Sequence, residues 1–201
     1  MARPRTFDPD SVLDRAAEIF VEQGFAAVGI ETLTDELGLS RSSIYGAFGS
    51  KQGLWLQALG RYRHHALEGL REVLSAEGDV LPAVTALLDA IRVSVEEGVD
   101  ARCLVVLAAC ERGATDPDTA AEVSQQFAAI DTLLHDALVR AVSRGELAPD
   151  VDAGGLASLI SAVISGVRVK AAAEGANPVA IRALHHMTGL LDAARSAPAT
   201  V

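Results

Sequence analysis

Ser40-Arg41-Ser42-Ser43-Ile44-Tyr45-Gly46-Ala47-Phe48-Gly49-Ser50-Lys51 is the stretch on which the reading of this chain turns. Ser40 is a good helix N-cap, because its hydroxyl can accept a backbone N–H of the first turn. Ile44 and Phe48 lie four apart, so they share a face that can pack inward. The opposite face carries Arg41, Ser42, Tyr45 and Gly46, small, polar or aromatic groups that suit a groove edge and phosphates. Lys51 follows Ser50 in the first turn of the next helix, where a cation opposes the helix dipole. A phosphate bound there would relieve that conflict and use the free N–H groups. Taken alone, the stretch reads equally well as a short surface helix.

The residues before it decide between the two. A helix is expected from about Asp8 to Gln23, with Asp8 as cap, Pro9 in the first turn and Phe7 and Val12 as a hydrophobic staple. Val12, Ala16, Ile19 and Phe20 form its inward face, and Gly24 ends it. A short helix follows over Ile30 to Leu37, with Leu33 and Leu37 inward. Gly38 permits a tight turn, Leu39 plugs the joint and Ser40 caps the next helix. Two short helices joined through a glycine turn with this apolar spacing form a helix-turn-helix. A fourth helix starts near Ser50, with Leu54, Ala58, Tyr62, Ala66 and Leu70 as its stripe, and ends near Ala76.

The remainder reads as helices throughout, making the fold class all-α with about nine helices. Pro82 opens helix five. Helix six covers about Ala101 to Arg112, apolar all round from Leu104 to Ala109 and so expected to be buried on most sides. Helix seven runs from about Pro117 to Arg144, helix eight from Asp152 to Glu174 and helix nine from Pro178 to Arg195, with a frayed tail to Val201. No strand-like alternation, repeat or low-complexity block stands out.

The composition sets limits. The chain has 201 residues, half of them apolar, and a formal net charge of −10. Residues 1–65 hold seven Lys/Arg against eight Asp/Glu, a net of −1, and residues 66–201 hold ten against nineteen, a net of −9. That excludes a general nucleic-acid sponge, but leaves specific DNA binding open if Arg3, Arg5, Arg41 and Lys51 share a face. No run of about 18 unbroken apolar residues exists, and no apolar segment follows the N-terminal basic residues, so neither a spanning helix nor a signal peptide is expected. Cys103 and Cys110 are seven apart on one predicted helix, roughly 10 Å, beyond disulfide reach. They read as reduced core thiols of a cytoplasmic protein.

Over about Asp8 to Leu70 these residues resemble the TetR family of bacterial transcriptional regulators. The resemblance is carried by Ala16-Ala17-Glu18-Ile19-Phe20, Gly24-Phe25, Leu33 with Leu37-Gly38-Leu39-Ser40, and Ile44-Tyr45 with Phe48-Gly49-Ser50-Lys51-Gln52-Gly53-Leu54. Beyond it, Cys103-Leu104-Val105 with Ala109 and Glu111 is similar to one C-terminal subgroup. The resemblance implies a DNA-binding domain over residues 1–50, a linking helix over about 51–76, and a ligand-binding and dimerisation domain over 51–201. It implies a homodimer on a palindromic double-stranded operator, acting as a repressor or less often an activator, and released by a small molecule. Ser40, Arg41, Ser42, Ser43, Tyr45 and Gly46 match the recognition helix, and Lys51 matches a lysine that meets phosphate. Three departures stand out: Val28-Gly29 where Thr or Ser opens helix two, Gly46-Ala47 where bulky residues follow the tyrosine, and Thr34 in place of alanine.

Several assignments stay open at this stage. Arg41 can read a guanine edge or clamp a phosphate, Tyr45 can meet DNA or be a half-buried aromatic, and Arg3 and Arg5 can form a minor-groove arm or a plain tail. Cys103, Leu107, Cys110 and Phe127 are candidate pocket residues for an apolar or aromatic effector, and serve equally as core. Leu156, Leu159, Ile160, Val163 and Val167 on helix eight, with Ile181, Leu184, Thr188 and Leu191 on helix nine, are the expected dimer seam, with small Ser158, Ser161, Ala162 and Gly166 allowing close approach. His64-His65 and His185-His186 point about 100° apart on a helix and make poor metal clamps. Asp131 and His135 can pair across one turn. No catalytic motif, metal site or cofactor is expected. The rival reading is a helical dimeric adaptor with a degenerate DNA-binding head.

Overall fold

The computed structural model describes residues 7–98 and 102–195. Arg3, Arg5, Ala101 and the tail beyond Arg195 lie outside the described residues. Among the described residues the chain forms nine helices: α1 (Pro9–Gln23), α2 (Ile30–Leu37), α3 (Arg41–Phe48), α4 (Lys51–Ser75), α5 (Val80–Glu97), α6 (Leu104–Arg112), α7 (Pro117–Ser143), α8 (Ala153–Glu174) and α9 (Pro178–Ala193).

Capping chemistry fixes most of the starts. The Asp8 carboxylate accepts the Asp10 and Ser11 N–H groups ahead of α1. Asp152 accepts Gly155 N–H ahead of α8, and Asn177 accepts Val179 and Ala180 N–H ahead of α9. α5 begins at Val80, two residues before the expected Pro82. Its start has no side-chain cap of its own; the Leu81 N–H instead donates to the Glu146 carboxylate at 2.9 Å. Proline is tolerated at the third position because the first-turn N–H groups have no intrahelical partner.

The described residues fall into two compact units, one from the chain up to Ala66 with Leu104–Ser124, the other from Leu67–Cys103 with Gln125 onward. Compactness thus divides the chain otherwise than the linear boundary at residue 50, since α6 and the start of α7 belong to the first unit. In that unit α1 packs on both α2 and α6. Ile19, Phe20, Leu33, Ile44, Leu54 and Trp55 are fully buried in it. Trp55 presents its ring edge-on to Phe20 and Phe25, with centroids at 5.0 and 5.3 Å, and donates its N–H to the buried Thr119 hydroxyl at 2.9 Å. The buried positions of α4 are Leu54, Trp55, Ala58, Leu59, Leu67 and Leu74, whereas Ala66 of the expected stripe is exposed. Steps of four residues drift by about 40° each from a 3.6-residue period, so a strict four-step stripe leaves the inward face.

The second unit buries Leu81, Val84 and Leu88 of α5, Leu134 and Leu138 of α7, Ile160 and Val167 of α8, and Leu184, Met187 and Leu191 of α9 in one apolar core. The turn from α4 to α5 is held by polar groups near the end of α7. Arg140 donates to the Leu74 carbonyl at 2.7 Å and Arg144 to the Gly78 carbonyl at 2.6 Å. Cations thus meet carbonyls at and beyond the end of α4, and the Glu146 carboxylate meets the N–H end of α5, as the helix dipoles favour.

Candidate nucleic-acid interface

α2 closes on Gly38, whose φ of 63° is left-handed, and Leu39 N–H returns to the Thr34 carbonyl at 3.1 Å. The Ser40 hydroxyl then accepts the Ser43 N–H at 3.1 Å, which starts α3 as expected. Ile44 and Phe48 are buried, leaving the other face of α3 outward. On that face Tyr45 is 40% exposed. The Arg41 guanidinium lies 5.9 Å from the Tyr45 ring centroid and 3.6 Å from the Glu31 carboxylate, both ends of the ion pair being exposed. The hydroxyls of Ser40, Ser42 and Ser43 cluster at 2.8–2.9 Å. A Cβ added at Gly46 would meet nothing within 4 Å. The glycine is therefore not demanded by internal packing; it leaves a bare strip of helix backbone that a ligand can approach closely.

The departures noted in the sequence resolve locally. Val28 is fully buried, and Gly29 caps α2 without any side-chain hydrogen bond, so no hydroxyl stands at this start. The Thr34 hydroxyl donates to the Glu31 carbonyl at 2.7 Å. Lys51 is half-buried, its Nζ 4.2 Å from the Phe25 ring centroid. Burial pushes its ammonium below the usual lysine range; the nearby Arg112 adds to the shift and Glu111 opposes it. This lysine therefore rests on an aromatic ring.

Most other cations of this unit are committed to acids. Arg61 forks onto Asp14 at 2.5 and 2.9 Å and reaches Asp10 at 3.1 Å, while Arg15 meets Glu36 and Glu18. Arg63 pairs with Glu122. Asp116 accepts hydrogen bonds from Thr119, Arg112 and Gln52, which hold its carboxyl at about 2 against an ordinary 3.8. Two groups here are absent from the sequence reading: the fully buried Trp55 and the exposed Glu111 in its contact role. Their partners lie 64 to 86 residues away, so no local pattern announces them.

The other candidate residues fare unevenly. Cys110 is exposed and Cys103 half-buried, which corrects the expectation of core thiols. Leu107 and Phe127 are half-buried. Ile160, Val167, Leu184 and Leu191, assigned to the seam from sequence, are buried in the chain's own core, and Leu156, Val163 and Ile181 are partly buried against it. Thr188 is half-buried, its hydroxyl on the Leu184 carbonyl at 3.2 Å. Leu159 alone of the nine is exposed, at 43%. The exposed apolar face runs instead through Leu159, Ala162, Gly166 and Val169 on α8 and through Val179 and Leu190 on α9. Small and apolar residues surround most of α8, so its sequence alone does not say which of them turn inward. By length and composition alone α8 would also suffice to cross a membrane. The histidine pairs are exposed, apart from any metal-ligand cluster among the described residues. His135 turns to Asp136 at 3.4 Å rather than to Asp131.

Known proteins share this arrangement. Residues 12–58 match the model for the N-terminal domain of bacterial regulatory proteins of the TetR family, and residues 80–187 match the tetracyclin repressor-like C-terminal domain. The uncharacterized regulator YezE of Bacillus subtilis is 31% identical over 170 residues, covering 80% of this chain and 84% of that protein. The transcriptional repressor BdcR of Escherichia coli is 30% identical, covering 84% and 81%. Among solved structures, a cysteine-substituted form of the TetR-family regulator CifR, complexed with 26-base-pair operator DNA, superposes with a TM-score of 0.79 at 29% identity over 96% of this chain and 99% of that one. With a helix-turn-helix in the matched N-terminal segment and an all-helical partner domain behind it, the chain belongs to the TetR family of DNA-binding transcriptional regulators.

Proposed function

We propose that the protein is a repressor that binds a palindromic operator as a homodimer and leaves it when a small apolar or aromatic molecule binds. The observation that carries this reading is the outward face of α3, where Arg41, Ser42, Tyr45 and Gly46 stand exposed while Ile44 and Phe48 anchor the helix. Arg41 and Tyr45 are the candidate base and backbone contacts, the Ser40, Ser42 and Ser43 hydroxyls meet phosphate, and Lys51 leaves the Phe25 ring for a phosphate when DNA arrives. The dimer forms on the exposed α8–α9 face through Leu159, Ala162, Gly166, Val169, Val179 and Leu190, where the small residues allow close helix approach. Phe127, half-buried in the second unit, is a candidate effector contact. Regulation rather than catalysis, in the cytoplasm, completes the reading.

The test is Tyr45→Ala measured against a selected operator. The variant should bind at least about tenfold more weakly, a loss of about 1.4 kcal/mol, while its mass in solution stays that of the parent. Binding equal to the parent's removes Tyr45 from the interface. An effector screen by loss of operator binding tests the ligand half of the reading.

A further inference from the structure

Glu111, next to the last residue of α6, reaches outside its own helix to main chain. Its carboxylate accepts the backbone N–H of Phe25 at 2.9 Å and of Ala26 at 2.7 Å, across 86 and 85 residues of sequence. Both amides lie in the loop between α1 and α2, where no intrahelical carbonyl is available to them. Gly24 just before them is built for the contact. Its φ of 78° disfavours any side chain, and an added Cβ would stand 3.2 Å from a Glu111 carboxylate oxygen. The Phe25 side chain is held as well, with the Arg112 guanidinium 3.8 Å and Lys51 Nζ 4.2 Å from its ring centroid. Arg112 is itself fixed by Asp116 at 3.0 Å and Gln52 at 2.8 Å.

The α6–α7 corner thus clasps the α1–α2 loop by backbone and by side chain. That loop sets where α2 begins, α2 opens without a side-chain cap at Gly29, and α3 follows through the Gly38 turn. We propose that Glu111 is a positioning residue for operator binding: its two-pronged acceptance of loop amides fixes the orientation of the α2–α3 pair without touching DNA. The inference rests on the reading of α3 as the DNA-contacting helix. Because both donors are main-chain amides, no side-chain deletion at position 25 or 26 removes the donors. The tie is controlled from position 111 or through Gly24.

The experiment uses the full chain, the operator selected by the parent, and the variants Glu111→Gln, Glu111→Ala and Gly24→Ala. Amide hydrogen exchange should quicken at Phe25 and Ala26 in each. Operator affinity should fall by about tenfold or more in Glu111→Ala and by less in Glu111→Gln, which keeps one acceptor oxygen. The slope of log affinity against log salt should match the parent's, since the phosphate contacts are unchanged in number. Thermal midpoint and dimer mass should stay close to the parent's in the two Glu111 variants, while Gly24→Ala also carries the strain of its positive φ. A variant whose two amides exchange faster while its affinity stays within about twofold of the parent overturns the inference. An affinity loss that merely follows a fallen thermal midpoint in all three variants overturns it too. A parent that selects no operator removes the reading of α3 and this inference together, whereas a parent that binds beside variants that bind equally removes the inference alone.

Discussion

At the residue scale, the groups that act on near neighbours are the ones a sequence reveals. Ser40, Ile44, Tyr45 and Phe48 could be placed because a cap and a four-residue spacing are contained within one helix. Trp55 and Glu111 could not, since each is given its role by a partner brought close only by folding. Asp116 carries a pH dependence. Its folded carboxyl sits at about 2, below the ordinary 3.8, so it contributes stability above that ordinary value and loses it as the pH falls toward 2. Thermal unfolding should therefore find the parent more stable than Asp116→Asn at neutral pH, with the difference shrinking through that acid window. A difference that holds constant down to the lower limit contradicts the assignment.

At the element scale, helix existence was legible and helix facing was not always so. Asp8-Pro9 and Asn177-Pro178 announce α1 and α9 through chemistry that holds in any fold. The start of α5 is set by Glu146 from a distant turn, and so it escaped. On α8 the alternation that would tell inside from outside is missing, because small and apolar residues surround most of the helix. The structure separates adjacent positions there: Ile160 is fully buried and Leu159 is 43% exposed. Ile160→Asp should therefore cost more than about 4 kcal/mol and unfold the chain, as an unpaired charge in an apolar core does. Leu159→Asp should leave a folded chain whose solution mass at micromolar concentration shifts toward the single chain. If Leu159→Asp keeps the dimer intact and folded, the seam does not pass through that face.

At the scale of the whole molecule, the charge balance frames how DNA is met. The head segment is nearly neutral and the rest strongly acidic, and Arg15, Arg61 and Arg63 are already paired with carboxylates. Few cations remain for phosphate, so the salt dependence of binding should be shallow for a dimer, and specificity must come from a small set of contacts on α3. Two helical units with a helix-turn-helix in the first are what the family match and the structure agree on. The measurement that bears most directly on the central claim is selection of tight binders from a random duplex library at physiological salt. The account predicts a palindrome whose half-sites are centred about 34–36 Å, or one helical turn, apart or a multiple of it, and whose binding Tyr45→Ala abolishes. Recovery of no preferred sequence by a refolded, ligand-free dimer would contradict it.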